Sequence, residues 1–221
     1  MAPTNYRNNS LITVTLTLAL SLFNVAATAD ALEDGIKNLQ QAWAKTNYKT
    51  TEDQQEAAFE KITQQAEALV KQYPNKAEPL IWQAIITSSD AGATGGLSAL
   101  GKVKDARKLL EAAERINPDA LDGSIYTSLG SLYYQVPGWP IGFGDDDKAE
   151  VYLKKALSTN PSGIDPNYFY GDYLRDQGRY NEAMEYFNKA LNAPDRADRP
   201  LADEGRRAEI QKALEETKAN L

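Results

Sequence analysis

Small and aromatic positions recur along this chain in a helix-hairpin pattern, sharpest in the run Gly171, Gly178, Tyr180, Ala183, Phe187, Ala190 and Leu191, closed by Pro194. In such a hairpin each small residue marks a place where two helices touch backbone to backbone. The aromatic and leucine positions fill the space between neighbouring hairpins. A second copy reads Tyr126, Leu129, Gly130 and Tyr133, then Ala149, Leu153, Ala156, Leu157 and Pro161. A third, weaker copy has Ala84 at the crossing, followed by Ala106, Leu110, Ala113 and Pro118. Upstream, residues 31–47 and 51–73 read as a helical pair, and downstream residues 201–220 read as a closing helix.

The pattern resembles the tetratricopeptide (TPR) repeat over about residues 77–194, most specifically in its last copy. The resemblance implies an all-α fold, a right-handed superhelix of TPR-like helical hairpins, and a general binding role. A plain repeat has a period of 34, whereas Gly130 and Gly171 lie 41 positions apart. The excess of 7 falls in QVPGWPIGFGDD, residues 135–146. In the third copy Ala84 and Ala106 lie 22 positions apart, against 12 between Gly171 and Ala183, which puts 10 extra residues in DAGATGGLSALG, residues 90–101. The expected organisation is therefore repeats at about 77–118, 123–161 and 164–197, flanking helices at 31–73 and 201–220, and two inserted loops.

Helix boundaries are marked by caps. Asp165-Pro166 sets an N-cap acid before a first-turn proline, and Asp147 through Glu150 has capping-box spacing. Pro118, Pro161 and Pro194 each follow a helix end, where a residue without an N–H stops propagation. The acid run Asp145, Asp146, Asp147 lacks the alternating oxygen ligands and the bidentate glutamate of a calcium loop, so it reads as helix capping.

The N-terminus has one charge, Arg7, then an apolar run of 13 residues from Leu11 to Phe23, then Ala27-Thr28-Ala29 ahead of Asp30. This is the layout of a secretory signal peptide, residues 1–29, with cleavage expected after Ala29. The run is short for a spanning helix, which needs about 20 apolar residues. With no cysteine in the chain there is neither a disulfide nor a lipidated N-terminal cysteine. The expected product is a periplasmic protein of 192 residues, residues 30–221, without a stable membrane anchor. Removing the segment takes away Arg7 and no acid, leaving 23 basic against 31 acidic residues, a charge of −8. That balance argues against nucleic acid and against anionic membranes as partners.

Two surfaces are candidates for binding. Both insertions sit between the first and second helix of successive repeats, so they should be neighbours along one edge. The first is glycine-rich and reads as flexible; the second carries Trp139 and Phe143 between prolines and glycines, a stiff backbone able to display aromatic surface. The same two aromatics could instead tuck back over the end of the core, and the sequence leaves both placements open. The other surface is the concave face lined by the first helices, where Ile81, Ile85, Thr127, Tyr134, Tyr168, Asp172 and Arg175 are the candidate groove residues. The carboxylate clamp of lysines, arginine and asparagine found in some TPR domains is missing there. The groove suits an apolar ligand or an extended segment with basic residues.

Neither histidine nor cysteine occurs, which excludes a Ser-His-Asp or Cys-His nucleophile and a histidine-containing zinc site. GATGG lacks the P-loop lysine. No catalytic residue, metal or cofactor is expected. A narrower resemblance rests on Pro137-Gly138-Trp139-Pro140, Gly142-Phe143-Gly144-Asp145, Ala149 and the KKAL segment at 154–157. It looks like the T component of TRAP transporters, which implies oligomerisation around a pore and a substrate-binding partner protein. The leading expectation is an exported TPR scaffold that binds a protein partner through its groove and inserted loops. Two alternatives are a TRAP-type transport accessory handling a small apolar ligand, and a homo-oligomeric piece of the cell envelope.

Overall fold

The computed structural model describes residues 13–221, with side chains from residue 30 onward. The signal-segment reading, residues 1–29, lies outside the residues described to side-chain level. Among the described residues no helix is long and apolar enough to cross a membrane. Two units are distinguished: one up to Gly35, to which the N-terminal part of the first helix belongs, and one from Ile36 to Leu221. All that follows concerns the second.

The described residues are helical nearly throughout: α1 (Thr13–Lys49), α2 (Glu52–Gln72), α3 (Ala77–Thr94), α4 (Gly96–Ile116), α5 (Ser124–Gln135), α6 (Asp146–Thr159), α7 (Ile164–Asp176), α8 (Tyr180–Leu191) and α9 (Pro200–Lys218). α3 pairs with α4, α5 with α6 and α7 with α8, and each hairpin stacks on the next. α2 lies against α3, and α9 against α8 and α7. One core runs through the stack, with Leu110, Leu129, Leu153, Leu174 and Phe187 completely buried.

The small landmarks sit where the hairpins close. Ala84, Ala106, Ala149 and Ala183 are fully buried. A Cβ added at Gly130 would lie 2.6 Å from Leu153 Cγ, and one added at Gly171 would lie 2.9 Å from Phe187 Cδ1. Those two crossings are therefore closed to any larger residue.

Three local expectations are corrected. Residues 90–101 form no flexible loop: α3 and α4 run to 18 and 21 residues, against 13 and 12 for α7 and α8, and meet at a turn of Gly95 and Gly96. Both glycines have positive φ, 67° and 63°, which lets two helices meet with almost no connecting chain. The extra turns are tied by polar contacts, because Lys102 Nζ lies 2.8 Å from the buried Asp90 carboxylate and donates to Thr94 Oγ1 at 2.7 Å. The α6 cap is Asp145 rather than Asp147, its Oδ1 accepting from the Lys148 N–H at 3.0 Å. The first residue able to reach the free amides of the first turn takes the cap. Asp165 is not the α7 cap either: that position is Gly163, and the Asp165 carboxylate is drawn across to arginines of the α9 region.

Candidate functional site

The second insertion is a compact structure. Val136 is buried and anchors it, and the Asp145 N–H donates to the Tyr133 carbonyl at 2.8 Å, closing its base. Gly138 and Gly144 form a parallel bridge, and the Gly144 N–H donates to Pro137 O at 3.0 Å. A Cβ at Gly142 or Gly144 would run into the Pro137 or Val136 carbonyl, so the glycines permit this closure. The Trp139–Pro140 peptide is cis.

The two aromatics of this loop take opposite placements. Phe143 turns inward, edge-on to Tyr133 at 5.7 Å, with the Arg107 guanidinium 4.3 Å from its ring centre. Trp139 is 90% exposed and Ile141 is 60% exposed. Phe143 caps the core while Trp139 is displayed.

The layer of first helices, α3, α5 and α7, faces a cavity of about 590 Å³. This face is not left open to solvent along its length. α1 lines it with Gln40, Trp43 and Asn47, and the α9 region with Arg196, Arg199, Arg206 and Glu209. The Trp43 indole donates to Ser89 Oγ on α3 at 2.8 Å, and its ring stands edge-on to Trp82 at 6.1 Å. At its other end α1 reaches α9, where the absence of a Cβ at Gly205 admits the Tyr48 ring and Tyr48 Oη lies 3.4 Å from Glu209 Oε2.

An ion-pair network holds α9 on α7. Asp165 accepts from Arg196 at 2.7 Å and from Arg206 at 2.9 Å. Burial alone would raise its pKa, but Arg206, Arg196 and Arg199 together hold the carboxyl below the ordinary range. Asp203 takes the Arg196 backbone N–H and Nε, each at 2.7 Å, and Arg206 also reaches Glu209 at 2.5 Å. Burial pushes the Glu209 carboxyl upward despite Arg206. Arg207 donates to the Leu191 and Ala193 carbonyls at the end of α8, filling acceptors that a helix terminus leaves free.

The candidate groove residues divide accordingly. Ile81 is fully buried in the core and offers no groove surface, because its side chain lies in the apolar layer between hairpins. Ile85 and Thr127 line the cavity. Tyr134, Tyr168, Asp172 and Arg175 are engaged in packing. Tyr134 Oη donates to Asp172 at 2.7 Å, and Arg175 bridges Asp172 at 2.5 Å and Glu216 of α9 at 2.6 Å. Burial, then the Asp172 charge, drives the Tyr134 hydroxyl well above its usual pKa. Tyr168, pushed up to about 12 by burial, lies under the Arg206 guanidinium at 4.5 Å. Trp43, Trp82 and the three cavity arginines were missed from sequence. The only signal for the arginines is the dense alternation of acids and arginines between Asp195 and Arg207.

The hairpin of α7 and α8 has a match among known protein families. A tetratricopeptide repeat family model matches residues 164–194, which span α7 and α8. Among solved structures, a thermophilic TPR protein of Thermus thermophilus is similar at 20% identity and a TM-score of 0.41, covering 72% of this chain and 91% of that one. No curated protein matches the chain. The matched hairpin closes on Gly171, Ala183 and Phe187, and the hairpin before it closes in the same way on Gly130, Ala149 and Leu153, so the described chain is an all-α stack of helical hairpins that carries a tetratricopeptide repeat at residues 164–194.

Proposed function

We propose that this protein is an exported, non-catalytic scaffold that holds a protein partner on the tip of the loop between α5 and α6. The observation that carries the reading is the exposure of Trp139 beside Ile141 on a backbone locked by glycines and a bridge. A large aromatic presented on a stiff loop needs little ordering when it binds, and such anchors dominate interface energetics. TPR folds serve as protein-interaction scaffolds, which fits this use. The part assigned to the groove in the sequence reading passes to the loop, because α1 and α9 already lie along the inner helices. Export is supported by the charge, apolar run and small-residue site within residues 1–29.

The test separates the two aromatics. Trp139→Ala is expected to leave stability within about 0.5 kcal/mol of wild type, as for an exposed position, and to weaken partner capture about tenfold or more. Phe143→Ala should instead cost about 1–3 kcal/mol through lost packing on Tyr133 and Arg107. Thermal denaturation and affinity capture from the protein's own cells measure both. Undiminished capture by the Trp139 variant would contradict the proposal. Native mass spectrometry is expected to give a monomer; a ring of three or more copies would move the loop tip to a homo-oligomeric interface.

A further inference from the structure

Most charges around the cavity are internally matched. Asp165 is shared by Arg196 and Arg206, Asp203 is held by Arg196, and Glu209 by Arg206. Arg199 differs, because it makes no ion pair among the described residues and its Nε is buried without an acceptor. It lies over the Trp82 ring, 5.1 Å from guanidinium carbon to ring centre. Trp82 is only 3% exposed and its Nε1 also lacks an acceptor among the described residues. The neighbouring indole of Trp43, by contrast, is satisfied by Ser89. Two residues of the cavity lining, one of them cationic, therefore stand side by side, each carrying an orphan donor atom with no exposed surface of its own.

Leaving a buried donor unmade costs a large part of its desolvation free energy, so an arrangement that concentrates two such groups on one void favours an acceptor brought from outside. A cavity of about 590 Å³ falls within the range of small-molecule sites, roughly 300–1,000 Å³. The nearby wall is apolar, made of Trp43, Ile85 and Phe169. We propose that the cavity binds a small organic acid whose carboxylate accepts hydrogen bonds from Arg199 and Trp82 and whose carbon skeleton lies along Trp43, Ile85 and Phe169. A carboxylate matches the planar donors of a guanidinium. Burial, then the neighbouring Arg196, lowers the pKa of Arg199, so the site gains from an incoming negative charge. The remaining acids of the lining, Asp122 and Asp198, are exposed and unfavourable to a polyanion, which selects a monocarboxylate. This site is separate from the loop tip and does not depend on the protein-partner reading.

Isothermal titration of the whole protein with phenylacetate, indole-3-acetate and butyrate, and with neutral phenylacetamide, tests it. At least one acid is expected to saturate one site, and phenylacetamide to bind about tenfold or more weakly than phenylacetate. Arg199→Gln should weaken the acid about tenfold or more, as loss of a charged hydrogen bond does, and Trp82→Phe should weaken it a few-fold while keeping the ring. Trp139→Ala should leave acid binding unchanged. If the donors are met only by buried water, none of the acids saturates, and that result overturns the proposal. Equal binding of amide and acid overturns it as well, and this comparison needs only wild-type protein should a variant fail to fold. Undiminished binding by a folded Arg199→Gln protein has the same force.

Discussion

Replacing Asp165 with asparagine is expected to destabilise the protein by about 2–3 kcal/mol, less than removing one partner of a fully buried ion pair, because the Asp165 side chain keeps 25% of its surface exposed. Asp165 accepts from Arg196 and Arg206, and Arg206 is nearly buried. Asparagine keeps the shape but leaves both guanidinium groups facing a neutral amide in a partly desolvated place. The loss should appear first as loosening of α9, which this network fastens to α7. The pH dependence follows from the direction of the shift. The folded carboxyl lies below its unfolded value, about 3.9, so its contribution is complete above roughly pH 4 and is lost as the pH falls through the folded value. Glu209, raised by burial, acts in the opposite sense, its contribution declining as the pH rises past its unfolded value. Urea denaturation between about pH 3 and pH 7 should show wild type losing stability at the acid end while the Asp165→Asn protein is flatter there. Equal midpoints for the two proteins at neutral pH would refute the assignment of this carboxylate as the fastening of α9.

Gly130→Leu is expected to cost about 1–3 kcal/mol or more by overpacking. A Cβ there would meet Leu153 Cγ at 2.6 Å and Leu153 Cδ2 at 2.8 Å, and the Leu153 backbone nitrogen at 3.2 Å. The side chain can move aside but the backbone of α6 cannot move without opening the hairpin. Leu153→Ala alone should cost about 2–5 kcal/mol as a core truncation. Combined with Gly130→Leu it should cost less than the sum, because each change relieves the other. Gly101 supplies the control: it lies in α4 with nothing within 4 Å of an added Cβ, so Gly101→Ala should be neutral or stabilising by up to about 1 kcal/mol. Additive losses at Gly130 and Leu153, read from thermal midpoints, would mean that the two do not share one crossing.

The hairpins were legible because their signal is local. Gly171, Ala183 and Phe187 lie within one repeat, and close approach admits so few residue types that the positions stand out. The turn at Gly95 and Gly96 was not legible in the same way, since glycines and alanines in DAGATGGLSALG suit a loop or a long helix equally, and the Lys102–Asp90 contact that favours helix spans a turn no repeat consensus describes. The placement of Trp139 and Phe143 was left open by sequence and decided by geometry: Arg107, from the neighbouring hairpin, offers a cation to the face of Phe143 and nothing comparable to Trp139. Misplacing Asp165 as a cap had a deeper cause. A helix-terminal acid is worth at most about 2 kcal/mol to the helix dipole or cap, and two arginines from 31 and 41 residues away outweigh it. The same long-range closure made Tyr168, Asp172 and Arg175 look displayed, because counting positions along α7 cannot reveal that α9 lies against that helix, and Tyr134 on α5 is taken up by Asp172 of α7.

Whether partners meet the loop tip while the inner face is occupied by α1 and α9 is tested most directly by site-specific photocrosslinking in the protein's own cells. A photoreactive aromatic residue is substituted for Trp139 at the tip or, separately, for Ser128 in the cavity lining. A discrete protein adduct is predicted from position 139 and none from position 128. An adduct from position 128 with none from position 139 would contradict the loop-tip assignment, by placing a partner polypeptide in the groove.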